Sequence, residues 1–169
     1  QNTLAITLSR GFEYKINPAA PQDYSHEKGS QMLGKNSYRL ALYPHKGDWQ
    51  QGEVYKESFL FNYPLRVVQS GPLHGEQGAE MSFLEVLPED LVVSSVKKAE
   101  DPNFQGFVLR LYNPTDQEID GHVRLMETPE DVWQVTMEEK FLRRPEMQPE
   151  GSFKFHAGPK QILTFKIKY

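Results

Sequence analysis

The sequence predicts an all-β fold, an antiparallel β-sandwich with one short helix, and two patterns support this prediction. Apolar and polar residues alternate with a period of two over many short segments, as strands with one buried face require. Turn-forming Asp, Asn, Gly and Pro residues separate these segments at intervals of roughly 8 to 15 residues. Regularly alternating strand and helix patterns are missing, so parallel βαβ units are not expected.

The alternation predicts nine strands. In the first, Leu4, Ile6 and Leu8 occupy alternate positions, and Pro44 ends the second. The polar stretch 13–35 between these two strands has little periodicity and is expected to form a surface loop. The predicted strands are residues 4–8, 38–43, 82–87, 91–97, 106–112, 121–127, 132–141, 151–156 and 162–168.

One helix is predicted over residues 52–62. Asp48 and Gln51 have the spacing of a capping box just before it. Tyr55 and Phe59 are four residues apart and therefore share one helical face. Pro64 is expected to end the helix, because the residue before a proline avoids helical geometry.

The Pro- and Gly-containing stretch 70–78 is the best internal boundary. It divides the chain into a front part, residues 1–78, which contains the helix, and a back part, residues 79–169, which contains strands only.

Charge and composition exclude several classes of protein. The chain of 169 residues carries 19 basic and 23 acidic residues, a net charge of −4, and has no polybasic run. Nucleic acid and anionic membranes are therefore not expected as partners. No apolar stretch approaches the ~20 residues that span a bilayer, so a membrane protein is not expected either.

Cysteine is absent, which excludes disulfides, thiolate catalysis and Cys-ligated zinc. This fits a reducing compartment and favours the cytoplasm, but leaves the location unknown. The chain starts at Gln1 without an initiator Met or a signal-peptide pattern, and it enters an alternating segment at once. We therefore expect a fragment of something longer.

Motifs for catalysis or metal binding do not stand out. The five histidines lie at positions 26, 45, 74, 122 and 156, without the spacing of zinc ligands. Neither a phosphate-binding glycine loop nor a G-x-S-x-G elbow is present. Paired carboxylates could serve a glycosidase, but 23 acidic residues would offer such pairs in any fold. None of these signals is specific, and a metal site assembled from distant segments stays open at this point.

One cluster allows a functional interpretation: His45, Asp48 and Trp49 follow a predicted strand within a Pro- and Gly-containing turn. An indole face can stack on a pyranose ring while His and Asp bind hydroxyl groups, so these residues could lie close to a sugar. In the structural alternative, Asp48 caps the helix, Trp49 packs in the core, and His45 holds the turn through a backbone hydrogen bond. The structural alternative is favoured, because capping alone explains the Asp.

An ordered series of segments resembles the C-terminal β region of glycoside hydrolase family 38, the α-mannosidases, in a bacterial member. No single segment is specific, but their order covers nearly the whole chain. The matching segments are Leu8-Ser9-Arg10 and residues 38–49, 61–65, 82–86, 92–101, 109–115 and 162–167.

The resemblance implies a part of an enzyme. Family members carry an upstream catalytic domain that hydrolyses α-mannosides with retention, using an Asp nucleophile, a second carboxylate and a divalent metal, usually zinc. None of those residues is carried over to this chain. The implied role is a non-catalytic C-terminal β-domain, with the end of a supersandwich-like region in 1–78 and a terminal β-sandwich in 79–169.

The implied partner is the upstream catalytic domain, through which this chain would meet an α-mannoside substrate. In that role it would act as a scaffold and could shape the rim of the substrate cleft. Two alternatives stay open: a carbohydrate-binding module, and a domain that forms homo-oligomers through exposed strand edges.

Overall fold

The computed structural model describes residues 3–12, 26, 28–72, 74–75 and 78–169. The chain divides into two compact units, Gln1–Pro44 and His45–Tyr169. The predicted boundary near residue 78 stays a prediction. The described residues of the second unit contain one α-helix, α1 (Val54–Asn62), and strands β1 (Leu84–Leu87), β2 (Val92–Lys97), β3 (Gly106–Tyr112), β4 (Ile119–Leu125), β5 (Asp131–Val135), β6 (Phe141–Arg143), β7 (Glu146–Gln148), β8 (Ser152–Ala157) and β9 (Ile162–Lys168).

The strands form the predicted antiparallel sandwich of two sheets. One sheet has the order β1-β4-β8-β7, and the other has the order β2-β3-β9-β5-β6. Strand β9 lies at the centre of the second sheet, pairing with β3 on one side and β5 on the other. The all-β fold class with one short helix is therefore confirmed.

The core lies between the sheets and follows directly from the alternation. On β3, Leu109 and Leu111 are fully buried, and on β9 Phe165 and Ile167 are fully buried as well. Phe153 of β8 closes the core from the opposite sheet, with its ring centroid 5.0 Å from that of Phe165. Inward positions of both sheets thus share one apolar cluster.

The predicted strand 132–141 is in fact a hairpin. Strand β5 ends at Val135, and the chain reverses before β6 through a turn in which Glu139 has a positive φ of 63°. The Thr136 amide donates to the Lys140 carbonyl oxygen across this turn at 2.8 Å. The prediction missed this turn because residues 136–140 contain no Gly to mark it, and the alternating pattern continues through them.

The predicted strands 4–8 and 38–43 are wrong: the structure has no strand there. Their leucines point to solvent, with Leu4 91% and Leu42 83% exposed. Among the described residues of the first unit, Phe12 and Ser30 instead exchange two hydrogen bonds beside a 3-10 turn at Gly29–Gln31. Of the predicted loop 13–35, residues 13–25 and 27 lie outside the described residues.

The predicted helix is confirmed, starting two residues later than expected and ending at Asn62 before Pro64. None of its residues is fully buried. Within the described part of the chain, no helix has the length and apolar character needed to cross a bilayer.

Candidate functional site

The turn before α1 is organised by Asp48. Its carboxylate Oδ1 accepts hydrogen bonds of 2.9 Å from the amides of Gln50 and Gln51. In return, Gln51 Oε1 accepts from the Asp48 amide at 3.4 Å. This reciprocal pair is the predicted capping box, although regular helix begins only at Val54.

His45 has a structural position in the same turn. Its ring packs against Gly52 so closely that a Cβ atom at residue 52 would collide with the imidazole. His45 Nδ1 lies 3.4 Å from the Lys46 carbonyl oxygen, which accepts a hydrogen bond when that nitrogen carries the proton. The backbone contact expected in the structural alternative is therefore present.

Trp49 lies outside the core, so the expectation that it packs there is wrong. Its side chain is 45% exposed. The edge of Tyr55 faces its ring, with 6.3 Å between the centroids and an interplanar angle of 81°. The Lys160 ammonium lies 4.5 Å from the indole centroid, within cation–π distance.

These side chains belong to a surface groove of about 590 Å³, which we term the Trp49 groove. This volume falls within the range of small-molecule sites. Helix α1 and the turn before it form one wall, while the end of β3 and the start of β9 form the other. The lining residues are Trp49, Tyr55, Tyr112, Asn113, Pro114, Lys160 and Ile162.

A polar chain borders the Trp49 groove. Lys160 Nζ donates to the Pro114 carbonyl oxygen at 2.6 Å and forms an ion pair with Asp116 Oδ1 at 3.0 Å. The other oxygen of Asp116 accepts from Gln50 Nε2 at 2.6 Å. Hydrogen bonds from Lys160 and then Gln50 lower the pKa of Asp116, so this carboxylate is ionised at neutral pH.

Asn113 fixes the two loops that carry these charges. It is fully buried, and its Nδ2 donates to the carbonyl oxygens of Gln117 at 2.7 Å and Gly158 at 2.9 Å. Its Oδ1 accepts from the amide of Thr115 at 2.9 Å and from the Thr115 hydroxyl at 2.7 Å. Asp116 and Lys160 therefore sit on a preorganised frame.

Tyr55 attaches α1 beside the groove. Its hydroxyl donates to Asp90 Oδ1 at 3.0 Å. Partial burial, together with the hydrogen bond and negative charge of Asp90, raises the pKa of Tyr55 to about 12. Lys56 Nζ lies 3.8 Å from the same carboxylate oxygen and 2.7 Å from Glu53 Oε1.

A second aromatic cavity, of about 280 Å³, lies around Phe104 and Trp133. Here the carboxylate of Glu139 is only 4% exposed and forms ion pairs with Lys97 at 2.8 Å and Lys166 at 3.5 Å. Both oxygens of Glu139 also accept from the Glu100 amide. Both oxygens of this carboxylate therefore have partners within the fold.

Histidines gather at a third place, on the first sheet. His156 Nδ1 lies 3.0 Å from Asp120 Oδ1, and the cavity beside them also contains His122. Among the residues that the structure describes, no group of three or more His, Asp or Glu side chains is arranged to hold a metal ion.

Comparison with known proteins found one matching family model, which covers part of the sandwich. Residues 90–165 match the model of the glycosyl hydrolases family 38 C-terminal beta sandwich domain. This region is homologous to that domain. The family 38 region runs from just before β2 into β9. It includes Tyr112 and Lys160 of the Trp49 groove, whereas Trp49 itself precedes it.

Two curated proteins that are similar to this chain are both named as alpha-mannosidases. Alpha-mannosidase G of Dictyostelium discoideum is 28% identical over 103 residues, which are 60% of this chain and 9% of that protein. Alpha-mannosidase 2C1 of Homo sapiens is 29% identical over 93 residues, 54% of this chain and 9% of that protein. The aligned chain is thus less than a tenth of either relative. No solved structure matches it significantly.

Of the three residues predicted to lie close to a sugar, only Trp49 lines the groove. Their contact with a sugar stays a prediction. Lys160 and Asp116 were missed, because Asn113-Pro114-Thr115-Asp116 and Gly158-Pro159 predict only turns. A pairing of two distant turns leaves no pattern in one sequence.

Proposed function

We propose that this chain is the non-catalytic C-terminal β-domain of a retaining α-mannosidase and supports the catalytic domain of that enzyme. The observation that carries the proposal is the family 38 match over residues 90–165. Both relatives are named alpha-mannosidases, and the aligned stretch is 9% of each, so most of their length lies elsewhere. The bacterial origin expected from the resemblance stays a prediction.

An exposed apolar segment after α1 supports a scaffolding role. Leu65 is 97% exposed, Val67 93% and Val68 86%. A run of apolar side chains of this kind usually marks a surface that another domain or chain covers. The catalytic domain is the proposed partner, and it is the part that would bind the α-mannoside and the zinc ion. Homo-oligomer formation stays a prediction.

Hydrolysis of p-nitrophenyl α-D-mannopyranoside by the 169-residue chain tests the non-catalytic role. Circular dichroism first verifies a folded β-protein. We expect no product above the buffer rate, with or without added Zn²⁺. Turnover that co-elutes with the folded chain would overturn the proposal.

The scaffolding role is tested in the longer enzyme to which the proposal assigns this chain. Val67→Asp places a charge in the apolar segment, while Gln69→Asp is the matched control nearby. We expect Val67→Asp to lower the temperature at which mannosidase activity is lost, with the KM unchanged. Equal heat resistance of both variants would contradict the scaffolding role.

A further inference from the structure

We infer that the Trp49 groove binds the hexopyranose ring of a saccharide, as a non-catalytic sugar site on this domain. The inference goes beyond the scaffolding role, since it gives the domain a binding activity of its own. Only the choice of a mannoside as the first ligand rests on the proposed function.

The first step is the aromatic surface. Three aromatic side chains line one groove: Trp49 from the turn before α1, Tyr55 from α1 and Tyr112 from the end of β3. Trp49 is 45% exposed, although burial of so large an apolar side chain would be favourable. A pyranose ring has an apolar face of C–H groups, which complements exposed aromatic rings.

The second step is hydrogen-bonding capacity at the border of the groove. An ammonium group has three donors, and Lys160 uses two of them on Pro114 and Asp116. A carboxylate can accept about four hydrogen bonds, and Asp116 accepts one from Lys160 and one from Gln50 among the described residues. Lys160 Nζ also lies 4.5 Å from the Trp49 ring centroid, so its third donor would exchange this cation–π contact for a sugar hydroxyl, while about two acceptor positions of Asp116 remain.

These remaining positions suit a polyol. Each sugar hydroxyl both donates and accepts, so one hydroxyl can bind the Lys160 ammonium while its neighbour donates to Asp116. Hydrogen bonds to charged groups are the stronger ones. The frame around Asn113 fixes the two loops that carry these side chains before a ligand arrives, which reduces the entropic cost of binding.

The cavity at Trp133 serves as an internal comparison. It is also aromatic and also has a lysine, but its volume of about 280 Å³ is less than half that of the Trp49 groove. Both oxygens of Glu139 there are occupied by Lys97, Lys166 and the Glu100 amide. Aromatic surface without remaining polar capacity is not expected to select a sugar.

The chain contains two tryptophans, and each lines one of the two cavities, so the indole signal of each reports binding in its own cavity. The test follows the two indole N–H signals by NMR while methyl α-D-mannopyranoside or α-mannobiose is added to the 169-residue chain up to about 50 mM. Trp49→Phe assigns the signals, so the titration itself uses the native chain. We expect a saturable shift of the Trp49 signal, in the millimolar range, and no shift of the Trp133 signal.

Three further ligands and variants sharpen the test. Lys160→Met should raise the Kd about tenfold, the weight of a hydrogen bond to a charged group. Lys154→Met, which removes an exposed lysine of the other sheet, should leave the Kd unchanged. Cyclohexanol offers an apolar ring with a single hydroxyl and should not shift Trp49 at the same concentration.

Several results would overturn the inference: no shift of Trp49 with either mannoside or with methyl α-D-glucopyranoside, an equal shift of Trp133, an equal response to cyclohexanol, or an unchanged Kd in Lys160→Met. Binding of the glucoside as tightly as the mannoside would support a sugar site without mannose preference. The hydrolysis assay on the same chain tests the proposed function separately.

Discussion

The two alternating segments of the first unit and the strands of the sandwich have the same sequence pattern but different structures. Leu40 and Leu42 occupy alternate positions of a predicted strand as Leu109 and Leu111 do, yet the first pair is 60% and 83% exposed while the second pair is fully buried. The difference lies in pairing. Strand β3 has a hydrogen-bonded neighbour on each side, whereas the described residues 38–43 have no strand beside them.

This comparison shows what alternation means. An alternating pattern indicates that one face of a segment is apolar. It does not provide the neighbouring strand whose amides and carbonyls complete the backbone hydrogen bonds. Where the chain contains the partner, the pattern becomes a strand and the apolar face enters the core. Substitutions in the two regions should therefore differ greatly in their effects.

The largest difference is expected between Phe165→Ala and Leu42→Ala. Phe165 is fully buried, with ring centroids of Phe153 and Phe155 at 5.0 and 5.1 Å, so its loss leaves a cavity. We expect the free energy of unfolding to fall by about 3–5 kcal/mol. Leu42→Ala should change it by less than about 0.5 kcal/mol. Urea denaturation followed by tryptophan fluorescence measures both, and similar effects of the two variants would refute the contrast.

A backbone test follows at Gly106, the first residue of β3. Its φ is +146°, and a Cβ atom would collide with the Ile167 carbonyl oxygen of β9. Gly106→Ala should destabilise by about 3 kcal/mol, through strain and a disturbed β3–β9 pairing. Gly71→Ala, where a Cβ meets nothing within 4 Å, should have an effect of at most about 1 kcal/mol of either sign. Thermal unfolding of the two variants decides this prediction, which fails if Gly106→Ala is as stable as its control.

Substitution of Glu139 tests whether the hairpin between β5 and β6 depends on the negative charge of this carboxylate. Burial alone would raise the pKa of this carboxyl, but hydrogen bonds from Lys97 and the Glu100 amide, with the charge of Lys166, outweigh burial and lower the pKa. The carboxylate therefore stabilises the fold fully above its ordinary pKa of 4.5, and this contribution is lost as the pH falls through the lowered value.

Glu139→Gln should cost about 2 kcal/mol at pH 7, because it leaves two lysines without their shared anion. Glu138→Gln, whose side chain is 73% exposed, is the control and should cost less than about 0.5 kcal/mol. The difference between Glu139→Gln and the native chain should shrink when unfolding is measured well below pH 4. A constant difference between pH 7 and pH 3 would contradict the role of the charge.

The smallest effect is expected at the attachment of α1. Tyr55→Phe removes the hydrogen bond to Asp90 and should cost about 1 kcal/mol, while Tyr63→Phe, at a side chain 71% exposed, should be neutral. The raised pKa of Tyr55, about 12, means that its contribution is complete below pH 10 and is lost as the pH rises through 12. An ultraviolet titration of the phenol with an ordinary midpoint near 10 would show that the contact is absent.

The sequence predicted the sandwich well because its information is local. Alternation and turn residues located β1 to β4, β8 and β9 within two residues and placed the start of β5 within one, but they missed its end. The Asp48–Gln51 spacing also predicted the capping box. The reversal at Glu139 was missed, since the fold stabilises its positive φ through Lys97 and Lys166 from other strands.

The candidate site was only partly predictable. Trp49 was singled out from its own turn, but Lys160 and Asp116 reach it from loops that are more than 60 residues away along the chain. Such contacts depend on how the sandwich brings β3 and β9 together, which alternation does not specify. The same limit explains why residues 4–8 and 38–43 were predicted as strands without regard to a partner.

Native-state hydrogen exchange of the 169-residue chain, read residue by residue, tests the central contrast most directly. We predict that the amides of β3 and β9 exchange more than about a thousandfold slower than those of residues 4–8 and 38–43, which should exchange nearly as fast as an unfolded chain. Protection of residues 38–43 equal to that of β3 would show that alternation had formed a strand there after all, and would contradict the account.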